Sequence, residues 1–303
     1  MTVSGYRRSI ADCSVAIRAK ACLVDDPPAP ELIPFAAPNS AAAADLELSV
    51  RPDGAPPAPA GTPLFATQAW ELWALPDGGY QVALIRATGK ARPMLVADRA
   101  TRRVVYHEAE GRAPIADGLP LVFDPFRMPV DQLLLIQHLA FREGFIVHSA
   151  GFAFGDVGIV VPGVSGAGKS TLTSLLSQAI PEMTVLSDER IIVRSRNGAF
   201  EAWGTPWMGT AGIARNLGVP LRALVFLAQN PQHGISAIPA REAVRRLFGV
   251  LACPLYDAER SELVLRTVER LVSMVPTFEL RFARDSGVGA VVLDFLRREM
   301  GVT

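Results

Sequence analysis

The sequence predicts an α/β protein: a domain with a mixed sheet in the C-terminal half, preceded by a smaller β-rich N-terminal lobe. Three observations predict it. The run Gly163-Val-Ser-Gly-Ala-Gly-Lys-Ser170 lies between an apolar segment and a helical one. Strand-like and amphipathic helical segments alternate after residue 140, as in α/β domains. Short β-rich runs separated by turn residues occupy residues 64–108 and are typical of hairpins.

Composition and charge limit the classes of protein that the chain can be. With 303 residues it is long enough for two domains, at about 100–200 residues per domain. Its 30 basic residues balance 30 acidic ones, so no overall field draws it to nucleic acid or to an anionic membrane. The sequence has no run of about 18 apolar residues that would span a membrane. The three cysteines lack metal-ligand spacing, and their odd number favours a reducing cytoplasm.

The N-terminal lobe is predicted to cover residues 1–128. Its first strand is expected at 14–18, and its proline- and alanine-rich segment, 27–63, should be mostly irregular, with a short strand at 46–50. An antiparallel sheet should follow, because β-rich runs alternate with turn residues such as Pro76-Asp-Gly-Gly79. The predicted strands of this sheet are 70–75, 80–85, 94–97 and 103–106.

The C-terminal domain is predicted to cover residues 129–303. It begins with a helix at 129–141, where Pro129 and Asp131 are typical of a first turn. The apolar runs that predict buried strands are 145–148, 157–161, 183–193, 200–206, 221–227 and 278–282. The amphipathic segments that predict further helices lie at about 240–252, 257–275 and 287–299.

The glycine-rich run fills every position of G-x-x-x-x-G-K-[ST], with a strand before it and a helix after it. Such a turn aims backbone N–H groups and the positive end of a helix dipole at one point, which suits a phosphate. Lys169 would reach the β- and γ-phosphate oxygens of a nucleotide, and the Ser170 hydroxyl would hold Mg²⁺. An incidental glycine-rich turn is the alternative. The predicted nucleotide-binding residues are Gly163, Val164, Ser165, Gly166, Ala167, Gly168, Lys169, Ser170 and Thr171.

Two adjacent acids follow the loop helix, at the end of the next predicted strand. Asp188 and Glu189 stand where an acid beside a phosphate loop is expected. Two carboxylates near Mg²⁺ can divide the work: one holds the metal through water, and the other accepts the proton of an acceptor hydroxyl. Glu201, on the following strand, is a third candidate for the metal shell. The alternative for all three is a solvated acid.

Arginines near the predicted site are candidates for binding a carboxylate or the transferring phosphate. Arg281 and Arg284 follow the last predicted strand. The helix at 240–252 carries Arg241, Arg245 and Arg246, for which a solvated helix face is the alternative. His233, in a Pro-Gln-His-Gly loop, receives no predicted role.

Four motifs in a fixed order resemble the C-terminal catalytic domain of the HPr serine kinase/phosphorylase family, which is related to phosphoenolpyruvate carboxykinase. The motifs are His148-Ser-Ala-Gly, the phosphate loop, Leu186-Ser-Asp-Glu-Arg190 and Glu201-Ala-Trp-Gly204. The resemblance covers about residues 140–300 and implies a P-loop-containing kinase fold with ATP and Mg²⁺ as cofactors.

The resemblance also implies roles for individual residues. By it, Asp188 matches the family's catalytic base and His148 matches a histidine that lines the active site. Glu189 takes the place of a second aspartate near the metal. Ser170 and Glu201 match Mg²⁺ ligands.

The sequence departs from the family in the region that would meet the acceptor. Trp203 replaces an arginine, and Thr205-Pro-Trp-Met-Gly209 is not the family's protein-docking signature. The N-terminal lobe does not match the regulatory domain of true HPr kinases. The ATP site is intact, and the chain more closely resembles HPr-kinase-like proteins. Members of that group phosphorylate other hydroxyls, including free serine and serine in small ribosomal peptides.

The sequence therefore predicts an ATP- and Mg²⁺-dependent kinase that transfers the γ-phosphoryl group to a hydroxyl, such as a serine of a small molecule, peptide or protein. Lys169 and the loop amides would stabilise charge, and Asp188 would orient or deprotonate the acceptor. One alternative is a regulatory or accessory protein that senses ATP without turnover. Another is a carboxykinase-like enzyme acting on a small organic acid. The resemblance also allows a homo-oligomer.

Overall fold

The computed structural model describes residues 4–24, 29–40, 42–52, 58–59, 61–85, 94–108 and 119–302. The chain divides into two compact units, Met1–His138 and Leu139–Thr303. This division lies inside the helix Val130–Ala140. The domain boundary that the sequence places at 128/129 stays a prediction.

The N-terminal unit is built on strands, which in its described residues form a nine-stranded sheet and a two-stranded one. The strands are β1 (Ser4–Ile10), β2 (Cys13–Ala19), β3 (Cys22–Val24), β4 (Ala36–Ala37), β5 (Leu46–Arg51), β6 (Phe65–Ala66), β7 (Trp70–Ala74), β8 (Tyr80–Leu84), β9 (Met94–Ala97), β10 (Arg103–His107) and β11 (Leu121–Phe123). The large sheet has the order β4-β1-β2-β5-β10-β9-β8-β7-β6, in which β5 is parallel to β2 and β10. β3 pairs with β11.

The antiparallel pairing predicted for residues 70–106 is confirmed, since β7, β8, β9 and β10 follow one another across the sheet. The hairpin of β1 and β2 was not predicted from the sequence. Its turn residues, Ala11 and Asp12, have φ angles of 50° and 57°. This left-handed pair is typical of a tight hairpin turn but lacks the glycine or asparagine that announces one in a sequence.

The proline- and alanine-rich segment contains more regular structure than predicted. Pro30–Phe35 forms a 3-10 helix. Its Leu32 and Phe35 are buried, so this stretch contributes apolar side chains to the core of the unit. Residues 27–28, 41, 53–57 and 60 of the segment lie outside the described residues.

The C-terminal unit is a mixed α/β structure, fully described from 139 to 302. Its strands are β12 (Gly144–Phe154), β13 (Val157–Pro162), β14 (Thr184–Ser187), β15 (Arg190–Arg196), β16 (Ala199–Trp203), β17 (Gly218–Gln229), β18 (Gly234–Ala237), β19 (Leu251–Ala252) and β20 (Thr277–Phe282). The helices are α1 (Val130–Ala140), at the boundary of the two units, α2 (Lys169–Ala179), α3 (Ala240–Phe248), α4 (Ala258–Met274) and α5 (Gly287–Met300).

The sheet of this unit places two loops at one edge. Its main path is β13-β12-β15-β16-β17-β20-β18, and β13 also pairs with β17. Because β13, β17 and β20 run parallel, their carboxyl ends lie at the same edge. The predicted phosphate loop follows β13, and residues 283–286 follow β20.

Helices cover both faces of the sheet, which explains the continuous apolar runs of its strands. On β13, Val160 packs in a cluster with residues of α3 and α4, whereas Ile159 and Val161 pack with α2 and α5. The two-residue period of a strand sends these neighbours to opposite faces. Among the described residues, no helix has the length and apolar character needed to cross a membrane.

The single strand predicted at 183–193 is wrong, because the structure breaks it at the two acids. β14 ends at Ser187, and β15 begins at Arg190. The Ser187 hydroxyl accepts the backbone N–H groups of Glu189 (3.2 Å) and Arg190 (3.3 Å), which closes a local turn. Asp188 and Glu189 therefore lie in a turn that directly follows the end of β14, the strand-end position that the sequence predicts for them.

Candidate functional site

The glycine-rich run forms the connection between β13 and α2. Gly168 precedes the helix with a φ of 103°. A Cβ atom there would lie 3.1 Å from the ring of Phe282 on β20. The left-handed φ favours glycine at this position, and the loop passes close to Phe282 at the end of β20.

Lys169 is the first residue of α2, and its side chain turns back into the loop. It is 6% exposed, and its Nζ donates hydrogen bonds to the carbonyl oxygens of Gly163 (2.7 Å) and Val164 (3.1 Å). Burial lowers the pKa of Lys169, while Glu189 and Asp188 act in the opposite direction. An ammonium group has three N–H donors, so these bonds leave one for a ligand.

A cavity of about 270 Å³ opens beside the loop. This volume is close to the lower end of the range found for small-molecule sites. Its lining includes phosphate-loop residues, both adjacent acids and residues from two other loops. The lining residues are His148, Ser165, Gly166, Gly168, Lys169, Ser170, Thr171, Asp188, Glu189, Thr210 and Arg284.

Asp188 is fixed in this cavity by backbone donors. The N–H of Gly209 lies 3.0 Å from its Oδ1, and the N–H of Ala211 lies 2.7 Å from its Oδ2. The side chain is 2% exposed. Each carboxylate oxygen has two lone-pair sites, so the two bonds orient the group and leave one site on each oxygen.

Glu189 and His148 form the neighbouring part of the wall. The Glu189 carboxylate lies 3.2 Å from Nη1 of Arg190 and 3.6 Å from Nε2 of His148. Burial lowers the pKa of His148, and the positive charge of Lys169 lowers it further. His148 is therefore neutral at pH 7 and can accept a hydrogen bond.

The predicted magnesium residues are only partly brought together. Ser170 and Glu189 line the cavity, but Glu201 is not among its lining residues. The Glu201 carboxylate accepts a hydrogen bond from Trp203 (3.0 Å) and lies 3.8 Å from Arg196. Its position in β16, opposite Arg194 of β15, places it away from the turn at the two acids. The metal role implied for Glu201 has no support in this geometry.

Four lining or supporting positions had no such role in the sequence analysis. Gly209 and Ala211 supply the amides that hold Asp188, and Thr210 between them lines the cavity. The run of small residues at 209–212 was the available signal, because such residues let a backbone approach closely. His233 lies 2.8 Å from Asp285, next to Arg284, a contact that the sequence did not reveal.

Gly209→Ala is expected to disrupt the support of Asp188. A Cβ atom at this position would lie 2.6 Å from Oδ2 of Asp188, so the carboxylate or the loop must move. We expect a loss of about 1–3 kcal/mol in the free energy of unfolding, measured by denaturant titration.

The matched control is Gly249→Ala, where φ is −74° and the nearest neighbour, Arg246 O, would lie 3.7 Å away. This change should be nearly neutral. Equal stability of the two variants would contradict the close packing at Gly209.

Comparison with known proteins leaves the family open. No protein-family model and no curated protein matches the chain. Among solved structures, 42 chains match. They include the HPr(Ser) kinase/phosphatase from Coxiella burnetii, with a TM-score of 0.30 and 10% sequence identity over 51% of this chain and 90% of that chain. A likeness of this degree identifies neither an activity nor a substrate.

Proposed function

We propose that the protein is an ATP- and Mg²⁺-dependent kinase that transfers the γ-phosphoryl group to a hydroxyl. The observation that carries the proposal is the meeting of Asp188 with Lys169 and the glycine-rich loop in one cavity. Phosphoryl transfer needs both a phosphate cradle and a group that orients the acceptor. The order of motifs, which resembles HPr serine kinase, supports a serine as the acceptor.

In this proposal, the loop amides and Lys169 bind the phosphate oxygens of ATP. Lys169 exchanges its bonds to Gly163 and Val164 for bonds to phosphate. Asp188 accepts the proton of the acceptor hydroxyl as the oxygen attacks the γ-phosphorus. The bond from the γ-phosphorus to the bridging oxygen breaks, and ADP leaves with the electron pair. The two amides on Asp188 keep its carboxylate in position throughout.

The donor set fits a magnesium ion held partly by the nucleotide. In the fully described range 139–302, as in the other described residues, no group of three His, Cys, Asp or Glu side chains could hold a metal ion. Mg²⁺ commonly takes one or two protein ligands and completes its shell with phosphates and water. Ser170 and Glu189 supply such a partial set. When bound, Mg²⁺ would neutralise charge on the transferring phosphate.

A Glu189→Gln change is expected to raise the Mg²⁺ concentration that gives half-maximal ATP turnover. The amide keeps the size of the side chain but removes the charge that holds the hydrated ion. Titration of turnover with Mg²⁺ at saturating ATP measures the effect. Glu201→Gln is the matched comparison, and it should leave the Mg²⁺ requirement unchanged because Glu201 lies outside the cavity lining. If Glu201→Gln raised this Mg²⁺ concentration more than Glu189→Gln does, Glu201 would be the Mg²⁺ ligand, as the family resemblance implies.

The second candidate is a protein that binds ATP without turnover. One observation favours it: both oxygens of Asp188 already accept backbone N–H groups, an arrangement that could also serve only to hold residues 205–212 in place. Both candidates bind ATP. They differ in whether ADP appears when an acceptor is added.

Acceptor-dependent ADP formation tests the proposal. The purified full chain with Mg·ATP is supplied in turn with free serine and threonine, with serine-containing peptides and with candidate proteins. A kinase releases ADP in proportion to one class of acceptor and adds 80 Da to it, the mass of a phosphoryl group. ATP binding without any acceptor-dependent ADP would favour the sensor.

A further inference from the structure

Arg284 is a cation in the cavity wall, and in the part of the chain that the structure describes it has no carboxylate partner. It lies in the segment after β20 and lines the cavity together with Lys169 and Ser170. Elsewhere in the unit, arginines such as Arg246 and Arg270 pair with glutamates. Among the described residues, no ion pair involves Arg284.

Asp285, the acid next to Arg284 in the chain, contacts His233 and the backbone of Gly287. Oδ1 of Asp285 lies 2.8 Å from Nε2 of His233 and accepts the backbone N–H of Gly287 at 2.9 Å. The Gly287 N–H, followed by the His233 contact, lowers the pKa of Asp285. Both partners of Asp285 are on Oδ1, and among the described residues no ion pair joins Asp285 to Arg284.

The segment that carries Arg284 is held at both ends. At the start of the segment, the ring of Phe282 lies close to Gly168 of the phosphate loop. The carbonyl oxygen of Phe282 accepts the N–H of Asn230 (3.2 Å). After the segment, a Cβ atom at Gly287 would lie 2.9 Å from Nε2 of His233, so the chain passes close to this ring. The turn with His233 and the strand β20 thus fix the start of the segment against the loop.

We propose that Arg284 binds the phosphate chain of the nucleotide, and that His233 and Asp285 are its positioning residues. The inference rests on the proposed function, since it needs ATP in the same cavity. A guanidinium group donates two parallel hydrogen bonds to phosphate oxygens and is the side chain best suited to such an anion. It adds a fixed donor pair to the loop amides and the Lys169 ammonium.

Arg281 provides the internal comparison. It lies on β20, three residues before Arg284; both arginines are exposed, and among the described residues neither has a carboxylate partner. Its guanidinium lies beside Gly234 of β18, and it does not line the cavity. The two residues have the same side chain and lie three positions apart. A difference in nucleotide affinity between their variants therefore reflects their different positions relative to the cavity.

The test measures the affinity of the full chain for Mg·ATP and for Mg·tripolyphosphate by calorimetry. Arg284→Gln should raise both dissociation constants by about 10- to 100-fold, the range for a charge-assisted hydrogen bond. Arg281→Gln should change neither. An equal effect on tripolyphosphate, which has no base or ribose, identifies phosphate as the group that Arg284 contacts.

A double-mutant cycle tests the positioning residues. His233→Ala should weaken binding in the wild-type background and have no further effect when Arg284 is already glutamine. Asp285→Ala removes the other partner of the His233–Asp285 contact, so it should have the same effect on binding as His233→Ala. Thermal melting shows which variants are folded.

The outcomes separate this inference from the function on which it rests. Equal affinity of wild type and Arg284→Gln for Mg·ATP would overturn the inference and leave the kinase proposal standing. Additive losses from His233→Ala and Arg284→Gln would overturn the positioning role. Absence of ATP binding by the wild-type chain would overturn both.

Discussion

Asp188→Asn is expected to bind Mg·ATP as the wild-type protein does and to lose phosphoryl transfer. The carboxamide keeps the size of the side chain but is a poor proton acceptor. Loss of a general base lowers the rate by about 10²- to 10⁴-fold. ADP release measures the rate, and calorimetry measures the affinity for the nucleotide.

The carboxamide also disturbs the two hydrogen bonds that residue 188 accepts from backbone N–H groups, so a control for folding is needed. Its oxygen can accept the N–H of either Gly209 or Ala211, but its NH₂ group faces the other donor. Thermal melting must therefore accompany the assay. Asp156→Asn, at an exposed turn residue between β12 and β13, is the matched change. A folded Asp188→Asn protein with wild-type turnover would show that Asp188 is not the base.

Lys169→Ala is expected to lower both nucleotide affinity and rate. The ammonium group is buried and lies beside both acids, so its loss removes the cation nearest to the bound phosphates. We expect the dissociation constant for Mg·ATP to rise by about 10- to 100-fold. The rate should fall by a further factor of about 10²–10³, as for other donors that stabilise transition-state charge.

The comparison is Lys20→Ala, which removes an exposed lysine of the N-terminal unit. That variant should retain wild-type affinity and rate. If Lys169→Ala bound Mg·ATP as well as Lys20→Ala does, the glycine-rich loop would not be the phosphate site.

The strand, glycine turn and helix around Lys169 could be predicted because their signals are local. Apolar residues fill β13, glycines allow the turn, and the helix begins at once. The alternation of strands and helices from β12 to α5 was predictable for the same reason. The strands at 200–206 and 221–227 were placed to within a few residues, although β17 runs from Gly218 to Gln229.

The contacts that hold the side chains of the cavity wall could not be predicted, because they join residues far apart in the chain. The amides that hold Asp188 come from residues 21 and 23 positions later in the chain. His233 meets Asp285 across 52 positions. Glu201 is the reverse case: its motif matched, but the register of β16 places it opposite Arg194 and it is not among the lining residues of the cavity, so its metal role stays a prediction. Order along a chain does not fix which strand end a side chain reaches.

We propose that the cavity supports transfer of a phosphoryl group and does not only hold a nucleotide. The most direct test is ADP release from Mg·ATP by the full wild-type chain, with and without an added hydroxyl acceptor, beside the Asp188→Asn variant. We predict that one class of acceptor raises ADP release and gains a phosphoryl group, and that Asp188→Asn abolishes both effects. If the wild-type chain binds ATP tightly but no acceptor raises its ADP release, the protein is not a kinase for any of the acceptors supplied, and the sensor is favoured.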